Sequence, residues 1–286
     1  MKRLTLTITP EQAGRTVESL LRRELSMAAG QISSAKFRPD GILLNGCRVR
    51  VTQRVNAGDA LSVDISDRGQ NEAEPVALPL TFRWEDAYFA VIDKPAGISV
   101  YGENQPNIAG ILADRWGKDV KFHPVNRLDV GTTGLMVVTK DGYTHDRLRR
   151  MLHTDSFLRE YLAVAEGALP QAQGSIELPI SRAPVEGTRR AIDPSGLPAR
   201  TAYEVLSVIR GRTLLCLRLY TGRTHQIRLH LSAIGHPLVG DALYGMPDAA
   251  ISRPALHSHR IRLIHPVTGE LLELTSPLPE DMRALL

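Results

Sequence analysis

Asn126-Arg127-Leu128-Asp129-Val130-Gly131-Thr132-Thr133-Gly134-Leu135-Met136-Val137-Val138 joins one carboxylate to a small-residue turn and then to an apolar run. Asp129 stands beside Arg127, the Gly/Thr segment turns the chain, and Leu135–Val138 reads as a buried strand. A carboxylate at the edge of such a strand is held rigidly, which is what a nucleophile or a base needs. The same residues also fit a plain turn in which Asp129 bonds its own backbone. The rest of the chain decides between the two.

With 286 residues, 43% hydrophobic and 23% charged, the chain has the composition of a globular protein and room for one large and one small domain. It has no apolar run of membrane-spanning length. Its start, Met1-Lys2-Arg3-Leu4-Thr5, alternates like a strand and lacks the core of a signal peptide, so a cytoplasmic, monomeric protein is expected. Cys47 and Cys216 give no disulfide framework and no zinc cluster and are expected as buried or half-buried thiols. Charge is uneven. Residues 1–68 hold 11 Lys and Arg against 7 Asp and Glu, whereas residues 69–286 hold 24 of each. A small basic module joined to a neutral body suits docking on a polyanion.

The module is predicted to open with a helix over residues 10–25, started by Thr9-Pro10. Val17, Leu20, Leu21 and Leu25 share one face, and Arg15, Arg22 and Arg23 lie outside it. A second helix covers 31–37. Asn45-Gly46 marks a hairpin, and a strand follows at 60–65. The polar stretch 67–78 reads as a linker. Strands are predicted at 80–84 and 88–93, then a helix capped by Asn107 that carries Ile108, Ile111, Leu112 and Trp116. Asp141 caps the next helix. Residues 159–166 alternate like a strand, with Tyr161 on one face. The segment 181–199, rich in Pro, Gly and Arg, is expected as a long mobile loop, and strands follow at 202–208 and 214–219. Thr221-Gly222-Arg223-Thr224-His225-Gln226-Ile227-Arg228 is predicted as a helix opening at Thr221 or Gly222, and 271–274 as a last strand. The class is α+β: a helix-hairpin module over 1–67, a linker over 68–78, and a large mixed-sheet domain over 79–286.

Several chemistries find no support. Gly131-Thr132-Thr133-Gly134 lacks the Gly-Lys-Ser/Thr ending of a phosphate loop. His225, His230, His236, His257, His259 and His265 have no acidic or Cys partner at ligand spacing, so no metal is expected. No nucleophile elbow is present.

The first module resembles the RNA-binding module of the fourth small-subunit ribosomal protein, through its early helix, "ILLNGCRV" and "VNAGDALSV". The resemblance implies that Arg22, Arg23, Lys36 and Arg38 contact RNA phosphates, giving affinity with little sequence reading. Nearly the whole chain resembles the RluA-type pseudouridine synthases. The blocks "WEDAYFAVIDKPAGISV", "NRLDVGTTGLMVVTKD", "REYLAVAEG", "GLPARTAYEV", "TGRTHQIRLHLSAIGHPLVGDALYG" and "RPALHSHRIRLIHPVTGE" occur in the family's order. The resemblance implies a mixed sheet crossed by an RNA cleft and a cofactor-free isomerisation of uridines, in large-subunit ribosomal RNA or in transfer RNA. It places the catalytic aspartate at Asp129, the active-site tyrosine at Tyr161, and the arginine paired with the aspartate at Arg223. Arg127, Arg228, His225 and Gln226 fall at RNA-contacting positions. Asn126 stands where the family usually has His, and Thr133 where Ser is more usual.

These residue types suit the reaction. Breaking the bond from ribose to the base nitrogen leaves positive character on the anomeric carbon, which a carboxylate stabilises or traps. A cationic partner keeps that carboxylate charged, an aromatic ring stacks on the uracil, and the target base must leave its helix. Two other classes compete: an inactive RNA-binding protein that keeps the fold, and a glycoside hydrolase, which would need a second carboxylate near Asp129.

Overall fold

The computed structural model describes residues 2–102, 106–183 and 189–286. The N-terminal part contains β1 (Arg3–Thr7), α1 (Val17–Arg23), α2 (Ala29–Lys36), β2 (Ile42–Leu44), β3 (Cys47–Arg48) and β4 (Ala60–Asp64). Its strands form one antiparallel sheet in the order β1-β4-β2-β3. Asn45 and Gly46 have φ of 52° and 81°, the two positive values that a tight hairpin turn requires. The first helix is shorter than its sequence suggested. Gly14 at φ 78° breaks the chain after a short 3-10 turn at Pro10–Gln12. The helix then starts afresh where the Thr16 hydroxyl accepts the Ser19 N–H at 3.3 Å. The apolar face itself begins only at Val17, so residues 10–15 had nothing to bury.

Leu4, Ile8, Val17, Leu20, Leu21, Ile32, Ile42, Leu61 and Val63 form the core of this part, and Tyr143 from the larger part completes it. The Tyr143 hydroxyl donates to Leu25 O (2.8 Å), and Lys2 pairs with Asp141 (2.9 Å). The stretch read as a linker is mostly exposed but is anchored at Asp67 and Asn71. Asp67 accepts the Gly142 N–H at 2.9 Å and also bonds His123. Asn71 reaches Lys118 O through its backbone N–H (2.7 Å) and Ala109 O through its side chain (3.1 Å).

The larger part runs β5 (Thr81–Glu85), β6 (Phe89–Lys94), α3 (Ile108–Trp116), β7 (His123–Pro124), β8 (Thr133–Thr139), α4 (Gly142–Met151), β9 (Phe157–Glu166) and β10 (Gln173–Ile176). It continues with β11 (Ile180–Arg182), β12 (Arg190–Ile192), β13 (Thr201–Ile209), β14 (Arg212–Leu219), α5 (Gln226–Ala233), β15 (Leu256–Ile264), β16 (Leu271–Thr275) and α6 (Glu280–Arg283). The main sheet has the order β10-β13-β14-β9-β15-β8-β6-β5, with β16 beside β15 and β7 beside β8. The pairing of β15 with β8 is parallel and the others are antiparallel, which makes this a mixed sheet. Both faces are covered. Ile92, Met136, Val138, Tyr161 and Leu217 pack with α3 and α5, while Phe89, Val91, Leu135 and Val137 pack with Leu148 of α4. A strand buried on both sides explains why Leu135–Val138 is apolar without alternation.

Three expectations change. The 181–199 stretch contains the β11–β12 hairpin rather than only loop, and its residues 184–188 lie outside the described residues. The helix expected from Thr221 opens at Gln226. Cys47 is exposed and Cys216 half-buried, and both are free. No helix is long and apolar enough to cross a membrane among the described residues.

The close approach of β8 to β15 depends on Gly134. It sits at φ 104°, and a Cβ there would lie 2.3 Å from Ser258 O. Gly134→Ala is therefore expected to cost more than about 2 kcal/mol, from backbone strain and a forced separation of the two strands. Denaturant unfolding measures it, and an unchanged midpoint would contradict this close strand approach.

Candidate active site

The turn that carries Asp129 is tied down from several directions. Thr132 N–H bonds Asp129 O at 3.0 Å, and Gly97 N–H bonds Val130 O at 2.9 Å. The fully buried Lys94 ammonium donates to Pro95 O (2.7 Å), Ile98 O (2.9 Å) and Val130 O (3.1 Å). Burial pushes that ammonium down to about 8, and the nearby Asp129 charge works against the shift. Arg253 donates to Gly131 O at 3.3 Å while its other nitrogens hold Asp281 of α6 at 2.7 and 2.8 Å. Asn126 is buried, and its side-chain oxygen accepts the Val137 N–H at 2.9 Å. The amide at this position thus fastens the approach to β8, a task that needs no proton transfer.

The facing wall is the start of α5. Residues 221–225 form an irregular turn, and His225 adopts a left-handed backbone (φ 58°) just before the helix. Gln226 fixes the turn from inside. Its oxygen accepts Thr221 Oγ1 (2.8 Å) and Arg223 N (3.0 Å), and its nitrogen donates to Arg200 O and Thr201 Oγ1, each at 3.0 Å. This geometry corrects the arginine expected to face Asp129. Arg223 turns aside, with Nε on Pro198 O at 3.1 Å. Arg228, in the first turn of α5, reaches Asp129 Oδ2 through Nη1 at 3.2 Å. Arg228 and Gln226 are both buried, so internal partners occupy the groups that the sequence assigned to RNA.

Arg228 is itself gripped from behind. Nε and Nη2 bind the two oxygens of Asp241, each at 2.7 Å, and Asp241 is fully buried. Burial alone would raise the Asp241 carboxyl. The Arg228 hydrogen bonds and charge, with the amides of Leu243 and Tyr244, outweigh burial and hold it below the usual carboxylate range. Burial likewise opposes the charge of Arg228, but Asp241 and Asp129 overcome it, so the guanidinium stays charged. His225 Nε2 lies 3.8 Å from Asp129 Oδ2, and its Nδ1 is 2.9 Å from the Tyr244 hydroxyl. Burial, then the charges of Arg228 and Arg190, pull His225 below the usual imidazole range, against the pull of Asp129.

Tyr161 completes the cleft from β9. It is 3% exposed and borders the cavity together with Leu128, Leu219, Ile227 and Leu256. Arg127 is exposed at the mouth. The result is a small apolar floor with one carboxylate, a guanidinium paired to it, two further arginines on the walls and one tyrosine ring. Asp129 is the only carboxylate lining it among the described residues, which leaves the second acid of a glycoside hydrolase unfilled. No cluster of His, Cys, Asp and Glu suited to a metal occurs among the described residues.

Sequence reasoning missed Lys94, Asp241, Arg253 and Tyr244. Lys94 and Asp241 lie inside the family blocks, where they read as turn residues. A charged residue in a loop has no periodicity to show that it is buried.

Residues 88–233 match the family model described as RNA pseudouridylate synthase. The chain belongs to the RNA pseudouridine synthase family. The ribosomal large subunit pseudouridine synthase D of Nitrosomonas europaea is 36% identical over 301 residues, covering 99% of this chain and 87% of that one. Its namesake from Escherichia coli O6:H1 is 34% identical over 310 residues, covering 99% and 93%. The uncharacterized RNA pseudouridine synthase YjbO of Bacillus subtilis is 36% identical, covering 92% and 95%. Among solved structures, human RNA pseudouridylate synthase domain containing 1 matches with a TM-score of 0.58 at 27% identity, covering 71% of this chain and 86% of that one. This synthase is accordingly an isomerase that acts on RNA, and a purely RNA-binding role is not favoured.

The environment of His225 gives a pH test. Its midpoint, followed by NMR, is expected below the ordinary imidazole value of 6.5. Because Asp129 is the charge that holds it up, Asp129→Asn should lower it further. A midpoint that rises in the variant would show that His225 does not face this carboxylate. A base depressed by folding binds more protons when unfolded, so its contribution is lost as pH falls through the ordinary imidazole range.

Proposed function

We propose that this synthase converts uridine to pseudouridine in a structured RNA, in the large ribosomal subunit as the names of the ribosomal relatives state for those proteins, with Asp129 acting on the ribose. The observation that carries the reading is the pairing of Asp129 with a charged arginine in a cleft that holds no other carboxylate among the described residues. The target base flips into the cleft and stacks against Tyr161. Asp129 either attacks the anomeric carbon or removes the proton from the second ribose carbon, and in both cases the bond to the base nitrogen breaks with its electrons going to uracil. The freed base rotates within the apolar pocket and bonds through its fifth carbon. Forming that bond displaces the Asp129 carboxylate from the anomeric carbon on the first route, or returns the proton held by Asp129 to the second ribose carbon on the other. The proton on the fifth carbon then passes to the ring nitrogen that lost the sugar, so atoms and electrons balance without a cofactor. Exclusion of water protects the opened sugar.

The N-terminal part supplies affinity in this reading. Arg23 and Lys36 are exposed, and the Lys36 ammonium lies 4.9 Å over the ring of Phe37, itself 71% exposed. Arg22 shares its charge with Glu18 at 2.8 Å, and Arg38 is paired with Asp64, so these two have less to give to a phosphate than the sequence implied.

Asp129→Asn should abolish pseudouridine formation, measured by tritium release or by mass shift after derivatisation, while RNA affinity stays within a few-fold. Near-normal turnover in that variant would sink the assignment. Replacing Arg23 and Lys36 with Gln should leave turnover on saturating RNA intact and flatten the salt dependence of binding by about 0.7–0.9 for each phosphate no longer neutralised. An unchanged slope would remove the module from the RNA interface.

A further inference from the structure

Beside the cleft lies a second cationic feature that the reaction does not use. Arg159 sits on β9 two residues before Tyr161, about 7 Å along the strand. It is 5% exposed and forms no ion pair among the described residues. Among the described residues its side chain makes one hydrogen bond, to His153 Nδ1 at 3.2 Å. Burial, then the charges of Arg159 and Arg223, hold His153 down at about 4, so it accepts this bond uncharged. The nearby acids are engaged elsewhere: Glu160 pairs with Arg260 at 2.9 Å, and Asp155 with Arg218 at 3.0 Å. Among the described residues the Arg223 guanidinium, on the cleft wall, has one partner, the Pro198 carbonyl. Gly222, the chain neighbour of Arg223, lies against the His153–Arg159 pair: a Cβ there would stand 3.3 Å from the His153 ring and 3.9 Å from the Arg159 guanidinium, so the two arginines share one neighbourhood. A buried guanidinium is ordinarily matched by a carboxylate. Here a neutral imidazole aims it, and neither guanidinium has a carboxylate partner among the described residues.

We propose that Arg159 and Arg223 bind a phosphodiester of the RNA, the one flanking the flipped uridine, with His153 as the residue that positions Arg159. The proposal rests on the cleft being the uridine site. The fork of an arginine suits two phosphate oxygens, and the spacing from Tyr161 suits a group one backbone step from the stacked base. A phosphate held there would fix the ribose relative to Asp129.

The test pairs protein and RNA changes. Binding of a large-subunit ribosomal stem-loop is measured on Asp129→Asn protein, so that turnover does not intervene, with one phosphate at a time replaced by an uncharged methylphosphonate. One flanking position should weaken binding about tenfold when Arg159 is present and cause no further loss in Arg159→Gln, the non-additivity of two groups in contact. Arg159→Lys should restore part of the coupling. Full additivity at every phosphate, or no binding of the stem-loop, overturns the proposal. Inorganic phosphate, followed through the Arg159 side-chain resonance, forms the second arm. Saturation by phosphate together with additivity on RNA would make this a free-anion pocket and overturn the assignment to RNA. If Arg159→Gln does not fold, Arg223→Gln provides the same cycle, because its guanidinium is half-buried and bonded only to a loop carbonyl. An RNA that shows the coupling but is never isomerised by the parent protein would count against the proposed reaction and leave the phosphate site standing.

Discussion

One guanidinium shared between two carboxylates organises the cleft. Arg228 gives two of its nitrogens to a fully buried Asp241 and a third to the partly open Asp129. The inner pair neutralises the inner charge and fixes the plane of the fork. The outer nitrogen is left pointing at the cleft with no freedom to turn away. Such a pair is not a source of stability in itself, because desolvating both ions offsets most of their attraction. Losing one member is a different matter. A buried arginine without Asp241 would carry an unmatched charge at a cost of about 3–5 kcal/mol. The arrangement therefore yields orientation rather than net folding energy, and orientation is what a carboxylate chemistry requires.

The carboxylate's own side of the cleft is held by a different device, cations on backbone carbonyls. Lys94 gathers carbonyls from the loop after β6 and from the Asp129 turn. Arg253 connects that turn to α6 near the end of the chain. The short parallel crossing of β8 and β15 sits between them, which is why a glycine is needed at 134. Elements far apart in sequence thus converge on four residues of turn.

Much of this is legible in the sequence. Asp129 and Tyr161 sit in contiguous motifs at the edge of strong strand patterns, and such patterns survive translation into structure. The Asn107 and Asp141 caps and the Asn45-Gly46 turn are readable for the same local reason. The arginine opposite Asp129 is not. Which of Arg223 and Arg228 reaches Asp129 depends on where the helix starts, and that is set by the left-handed backbone of His225 and by four bonds from Gln226, two of them to Arg200 and Thr201 far off in sequence. The grip of Asp241 on Arg228 joins residues 13 apart across a loop, with no period to announce it. The hairpin inside 181–199 is hidden by a composition that usually marks loops, and the early break in the first helix by a glycine whose left-handed φ only the fold reveals.

Tyr143 belongs to α4 of the large part, yet its ring fills the core of the small one. The two parts therefore have no dividing plane along which each keeps a complete interior. Separating them would bring an aromatic ring and the Lys2–Asp141 and Asp67–Gly142 contacts into water together. The interior of the small part is complete only with α4 in place, so loosening the small part also disturbs the large one.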